Sequence, residues 1–268
     1  YGPDAERPGF DGVAQARAGS MILTGFPGDN PIKTGMPFID VGTGLFTTVA
    51  VLAALRYRDK SGQGQAIDTS LYDTAVFFTQ SVGALMLYEL YGEIRKQIGN
   101  KGFHSYNTCL EAKDGWVVLS VVTNSIWRRF MSKIGRPEMV NDPRFGSDMD
   151  RFHNAHLIDP VVKEWVAART VDEVVKACEE ARVPCGPVQT VDKLLTDPQV
   201  LAREMVPPLD YPGLGTLHVP GIPMKMSLTP GSISTPSPKL GEHNEEVYGG
   251  LLGLSSEKVA GLKEKGVI

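Results

Sequence analysis

Three features of the sequence predict an α/β fold with a second, compact α+β unit. A long apolar segment, a tight glycine loop and an alternating segment follow one another from residue 44 onward, the order of an α/β layer. Two alternating runs flank Lys113-Asp114-Gly115, and three helical candidates come after them. Finally, a proline-dense stretch runs to Pro238 before the chain returns to helix.

Taken in order, residues 1–30 are rich in loop residues, with one helical candidate at 10–21. Residues 25–33 form a turn around Gly28-Asp29-Asn30-Pro31. Leu45, Val49, Leu52, Ala53 and Leu55 fall near helical spacing and predict a helix over 44–58. The polar, glycine-containing loop 59–65 stops it, and residues 66–71 alternate as a half-buried strand does. Asp73 then opens a helix running towards Tyr91.

The composition changes at Gly92. Residues 108–110 and 116–122 are expected to pair as a hairpin through the turn at 113–115, followed by helices over 124–135, 153–168 and 171–182. Thr170 or Val171-Asp172 is expected to cap the last of these. Short helices at 190–196 and 198–204 precede extended chain, and a segment of that length without helix has to lie against something. Helices at 244–252 and 255–265 close the sequence. The resulting division is 1–91, 92–188, 189–239 and 240–268.

With 42% hydrophobic and 22% charged residues, the composition is that of an ordinary globular protein. The net charge of −4 and the lack of a basic stripe argue against nucleic acid as a partner. Cys109, Cys178 and Cys185 show no metal-ligand spacing, and an odd, sparse set suits a reducing, cytoplasmic setting. No metal site is expected. No apolar run is read as long enough to span a membrane, the longest, 74–90, being interrupted by polar residues. The first residue is Tyr1, which suggests a natural chain that begins upstream.

Asp40 is the acid whose setting calls for a closer reading. It ends the apolar run Met36-Pro37-Phe38-Ile39, and Gly42 and Gly44 follow it. Proline and glycines around it predict a loop that holds one carboxylate at the mouth of a buried helix. An acid in that place is either a helix N-cap, the commoner case, or a reacting group.

Eight separated pieces bear on that choice. They are Pro8-Gly9-Phe10-Asp11 with Ala14-Gln15 and Ser20; Gly35 through Asp40 with Gly44; Leu52-Ala53-Ala54-Leu55; and Gly62-Gln63-Gly64-Gln65. Then come Asp68 through Asp73, Val183 through Val188, Asp197-Pro198-Gln199 and Leu240-Gly241-Glu242-His243. In this order they resemble the family III CoA-transferases, the formyl-CoA transferase and carnitine CoA-transferase group. The resemblance implies a large Rossmann-like α/β domain, incomplete here because its N-terminal portion is not matched, and a smaller inserted α+β domain. It further implies a C-terminal return to the large domain and an interlocked dimer, either of identical chains or with a paralogue.

It also implies that Asp40 is a nucleophile that carries first an acyl group and then coenzyme A. Coenzyme A enters as an acyl-CoA substrate, no cofactor is held permanently, and the partners are acyl-CoA and small carboxylic acids. The family's glycine loop, which closes over the reacting centre, corresponds to Gly99-Asn100-Lys101-Gly102, with fewer glycines here than in the formyl-CoA transferases. Gly42 or neighbouring backbone is expected to supply oxyanion donors. Phe10, His104, Tyr106 and Asn107 are the substrate-binding candidates, with Lys101 beside them. Within the same fold, the α-methylacyl-CoA racemase branch has a histidine where this chain has Phe10, and two-base proton exchange needs that base. A non-catalytic partner subunit would lack the aspartate, which this chain retains. His153, His156, Glu242, His243 and Cys185 are read as surface, helix-end or turn residues.

Overall fold

Helices dominate the first third of the chain, and their boundaries are set by contacts that are distant in sequence. The computed structural model describes residues 1–268 and separates into two units, 1–188 and 189–268. In the first unit come α1 (Asp11–Ala18), α2 (Ser20–Leu23), α3 (Phe38–Ser61), α4 (Leu71–Gln80) and α5 (Ala84–Tyr91). Helix α3 starts six residues earlier than its apolar spacing predicts, so Asp40, Gly42 and Gly44 all lie inside a helix and not in a loop. Gly42 allows close approach to α4: a Cβ there would sit 2.4 Å from the Phe78 ring. Ser70, whose hydroxyl accepts from the Asp73 N–H, starts α4. The expected single helix to Tyr91 is broken in two at Gly83, where φ is 68°.

The predicted strand at 66–71 does not form; residues 63–70 are extended without a ladder partner. A strand exists only through its neighbours, and no parallel sheet is built by these residues. The parallel sheet of the Rossmann-like layer expected from the resemblance is therefore not built by residues 1–91, which form helices and extended chain. Only a small core joins them, Ala14, Ile39 and Ala75 with Phe38, Leu71 and Phe78 packed against it.

Contrary to the sequence reading, one helix is apolar and long enough to cross a membrane by length and composition, the 24-residue α3. Its threonines interrupt the apolar run in sequence but not in space. Thr43, Thr47 and Thr48 donate to the carbonyls of Ile39, Thr43 and Gly44. Thr43 and Thr47 also bond Thr74 and Thr69, tying one side of α3 to α4 and the segment before it. Val41, Leu45, Val49 and Leu52 project from it exposed.

The remainder of this unit follows its local signals. Strands β1 (Tyr106–Ala112) and β2 (Gly115–Val121) pair antiparallel, with Tyr106 opposite Val121, and β3 (Cys185–Pro187) adds antiparallel to β2. Val117, Leu119 and Val121 alternate inward, whereas Trp116 and Val118 face out. The inward face is covered by α6 (Asn124–Lys133), α7 (Asp148–His153), α8 (Ala155–Ala167) and α9 (Val171–Glu180), with Phe130, Ile158, Val162 and Val174 buried among them. Capping boxes at Ser147–Asp150 and Thr170–Glu173 start α7 and α9. The buried Arg151 guanidinium bonds the Phe145 carbonyl, Asn124 and Asp148.

The second unit holds α10 (Pro198–Ala202), capped by Asp197, then β4 (Pro208–Tyr211) and β5 (Gly215–His218). This hairpin lies within the proline-dense stretch read as merely extended; its prolines stand at its edges, where no ladder N–H is needed. A π-helical turn, Glu245–Leu251, and α11 (Ser256–Glu264) end the chain.

Because Phe130 is fully buried at the centre of the larger core, Phe130→Ala lowers stability by about 3–5 kcal/mol. Urea denaturation followed by circular dichroism measures this, and a loss below about 1 kcal/mol contradicts the packing described.

Candidate active site

Helix α3 begins on Pro37, which has no side chain able to accept from the first turn. The acceptor comes from α1, far away in sequence. Asp11 Oδ2 accepts from the Ile39 N–H at 2.8 Å and from the Asp40 N–H at 3.2 Å. The other first-turn groups are used locally, Phe38 N–H by the Met36 carbonyl and Val41 N–H by the Pro37 carbonyl.

Asp11 is itself held in place. Its Oδ1 accepts from the side-chain amide of Gln15, one turn along α1 and only 1% exposed. The same amide nitrogen donates to Thr34 Oγ1 at 3.1 Å, and Gln15 Oε1 accepts from the Thr34 N–H at 3.0 Å. The Thr34 hydroxyl donates onward to the Met36 carbonyl. Every hydrogen of the Gln15 amide is thus engaged, as burial requires. The sequence reading took Asp11 and Gln15 only as parts of a motif; their i, i+4 spacing on one face of α1 was the available signal of a shared role.

With the cap supplied from α1, the Asp40 side chain is exposed and makes no hydrogen bond or ion pair. It stands in the first turn of a long helix, where the dipole favours a negative charge. The expectation that Gly42 donates to an oxyanion is corrected here. Gly42 is the fifth residue of α3, its N–H belongs to the helical ladder, and its function is the approach to Phe78. Phe10, 77% exposed, stands at the N-terminal end of α1, where its carbonyl accepts from the Val13 and Ala14 N–H groups.

The glycine loop is anchored at both ends. On its first side the Gly99 N–H donates to the Gly25 carbonyl at 2.9 Å, and a Cβ on Gly99 would lie 2.7 Å from the Phe26 ring. Gln97 donates to the carbonyls of Thr24 and Asn30. On its second side a Cβ on Gly102 would lie 2.1 Å from the Asn107 amide nitrogen, which donates to Ser105. Lys101 Nζ lies 3.4 Å from Asp159 of α8. Between these anchors the N–H groups of Asn100 and Gly102 make no hydrogen bond within the chain.

Tyr106, at the start of β1, is buried, whereas His104 is exposed. Lys101 and Tyr106 therefore meet at Asp159, and Gly102 meets Asn107, but no hydrogen bond or ion pair joins any of these residues to Asp40. The connection between the two groups runs through residues 24–34: the loop stem is pinned on Thr24, Gly25 and Asn30, and the chain continues from there to Thr34 beside Gln15. His153 and His156 are exposed near the junction of α7 and α8, and His243 pairs with Glu246. Cys185 faces Cys178, whose thiol donates to it and whose acidity is lowered by that bond and by burial.

The sequence pattern of CoA-transferase family III matches residues 1–244. The beta subunit of succinyl-CoA–L-malate CoA-transferase from Chloroflexus aurantiacus is 35% identical over 272 residues, covering 100% of this chain and 67% of that protein. Succinyl-CoA–D-citramalate CoA-transferase from the same organism is 31% identical over 269 residues, covering 100% of this chain and 66% of that protein. Among solved structures, a CaiB/BaiF family protein from Brucella suis aligns with a TM-score of 0.74 at 30% identity, over 94% of this chain and 65% of that one. The chain thus spans about two thirds of the length of these relatives.

Replacing Asp11 by Ala leaves two N–H groups of α3 and the Gln15 amide without their acceptor. The variant loses about 1–2 kcal/mol and exchanges its amides at residues 38–42 faster, while the hairpin β1–β2 is unaffected. Unchanged exchange at 38–42, followed by mass spectrometry, contradicts a cap supplied from α1.

Proposed function

The chain belongs to CoA-transferase family III, and from that premise we propose that it carries the nucleophile of a CoA transfer between a small acyl-CoA and a carboxylic acid. One observation supports this above the others: a different acid, Asp11, caps α3, and the Asp40 carboxylate is left exposed and unpaired. A capping aspartate would be occupied; this one is available.

The reaction proceeds by exchange at one carboxylate. Asp40 attacks the thioester carbonyl, giving a mixed anhydride and CoA thiolate. The thiolate attacks the Asp40 carbonyl, leaving an aspartyl-CoA thioester and releasing the donor acid. The acceptor carboxylate attacks that thioester, forming a second anhydride and freeing the thiolate again. Attack of the thiolate on the acceptor's own carbonyl gives the new acyl-CoA and restores Asp40. Each attack passes through an oxyanion that needs donors. The first-turn N–H groups of α3 are already bonded, so the free N–H groups of Asn100 and Gly102 are the donors the chain has to offer when the loop closes. Closure also keeps water from the anhydrides.

The relatives act on succinyl-CoA with malate or citramalate, and we take a dicarboxylic acyl-CoA donor and a hydroxy-dicarboxylic acceptor as the first pair to try. His104, Lys101 and Asn107 lie at the loop and are the polar groups suited to a second carboxylate. The subunit name of one relative supports assembly with a paralogue as well as with a second copy. The exposed apolar side chains of α3 suit cover by protein, since the relatives are about half as long again as this chain. Racemisation is disfavoured by Phe10, which offers no base, and by Asp11, whose two oxygens are engaged.

In the full-length protein, Asp40→Asn reduces CoA transfer from succinyl-CoA by about a thousandfold or more and lowers the thermal midpoint only slightly, because the exposed side chain makes no hydrogen bond or ion pair and loses only its favourable place at the helix N-terminus. Transfer within tenfold of the parent sinks the proposed mechanism. Deuterium exchange at the substrate α-carbon that survives in the parent without any transfer favours the racemase instead.

A further inference from the structure

Every arginine that is not exposed has its guanidinium bonded, with one exception. Arg129 donates to the carbonyls of Ala181 and Arg182, Arg151 to the Phe145 carbonyl, Asn124 and Asp148, and Arg169 to the Trp165 carbonyl. Arg95, half-buried just ahead of the glycine loop, makes no hydrogen bond and no ion pair, and its Nε is buried without a partner. What holds it is Phe103, on the other side of the loop, whose ring centroid lies 4.8 Å from the guanidinium carbon. Stacking uses one face of a guanidinium and none of its N–H groups, which lie in its plane. Lys101, at the tip of the loop, faces Asp159 at 3.4 Å, whereas Arg95 has no counter-ion. Shielded donors are rarely left unmade, and those of a charged group are the costliest to leave so.

We propose that Arg95 is a substrate-binding residue: carried on Phe103 at the base of the glycine loop, its N–H edge donates to an oxyanion that the substrate brings. The identity of that oxyanion rests on the transfer reaction proposed above; the receptor itself does not. Two groups on the reactants share this chemistry, the far carboxylate of a dicarboxylic acid and a phosphate of CoA. The carboxylate is the better fit to the reaction. A dicarboxylic acid has one carboxylate that reacts and a second that has to be recognised, and two parallel N–H···O bonds from a guanidinium match it. A monocarboxylic acid would leave Arg95 unpaired beneath the loop, so the same residue discriminates between the two classes. Because the stack joins residue 95 to residue 103, an anion held there also bears on the loop between them.

Calorimetric titration of the full-length protein with succinate and, separately, with free CoA reads this site without requiring turnover. Arg95→Lys keeps a cation over the Phe103 ring and loses the planar edge, so a residue that serves only to stack is indifferent to it. The expected result is a succinate affinity lowered about tenfold or more, with CoA affinity and thermal midpoint unchanged. Arg95→Met, which removes the charge as well, lowers succinate affinity at least as much and serves should the lysine variant fail to fold. CoA affinity lowered with succinate affinity unchanged keeps the oxyanion receptor and assigns it to a phosphate. Unchanged affinity for both, a parent that binds neither, or a fall in both together with the thermal midpoint overturns the proposal. Succinate binding that depends on Arg95 in a parent that transfers no CoA keeps the receptor and removes the transferase reading.

Discussion

Asp11 is the constraint on which the arrangement around Asp40 depends. A proline at the capping position has no side chain that can accept from the helix it starts, and four N–H groups at a helix end have to be satisfied somewhere. Asp11 meets that need from another helix, and Gln15 and Thr34 hold Asp11 in register. One consequence is structural: α1, the segment 34–36 and α3 become a single hydrogen-bonded unit. The other is chemical, because Asp40 is relieved of the task its position would give it and keeps its carboxylate free at the positive end of a long helix.

What the sequence discloses depends on how local the determining contact is. The helices and hairpin of residues 106–188 are written in nearby residues: alternation in β2, a Lys-Asp turn, the Thr170–Glu173 box. The start of α3 is not, since Pro37, Gly42 and Gly44 signal a break and the cap that overrules them lies in α1. The segment 66–71 fails for a related reason, because its alternation is real but a strand needs a neighbouring ladder. Asp40 was legible as a chemical candidate through the pieces surrounding it in family order. Gly42 was misread, its use being the contact with Phe78. The meeting of Lys101 and Tyr106 at Asp159 has no sequence signal at all.

The two halves of the site are built with different rigidity. The Asp40 side is fixed by a buried amide with all its bonds made. The loop side is fixed at its stem by backbone bonds to residues 24–30 and at its tip by one weak ion pair. A transfer reaction that must first admit an acyl-CoA and then exclude water asks for this division, with a stationary carboxylate and a cover that can move. On the proposed reading, the N–H groups of Asn100 and Gly102, which make no hydrogen bond within the chain, belong to that cover.

The central claim is that Asp40 becomes covalently bonded to CoA. The most direct measurement is peptide mass spectrometry of the full-length protein after brief incubation with succinyl-CoA and acid quenching. The account predicts a CoA thioester on the peptide containing Asp40, released by hydroxylamine and lost when an acceptor acid is added before quenching. Transfer of CoA with no adduct on that peptide, or with an adduct on another residue, contradicts it.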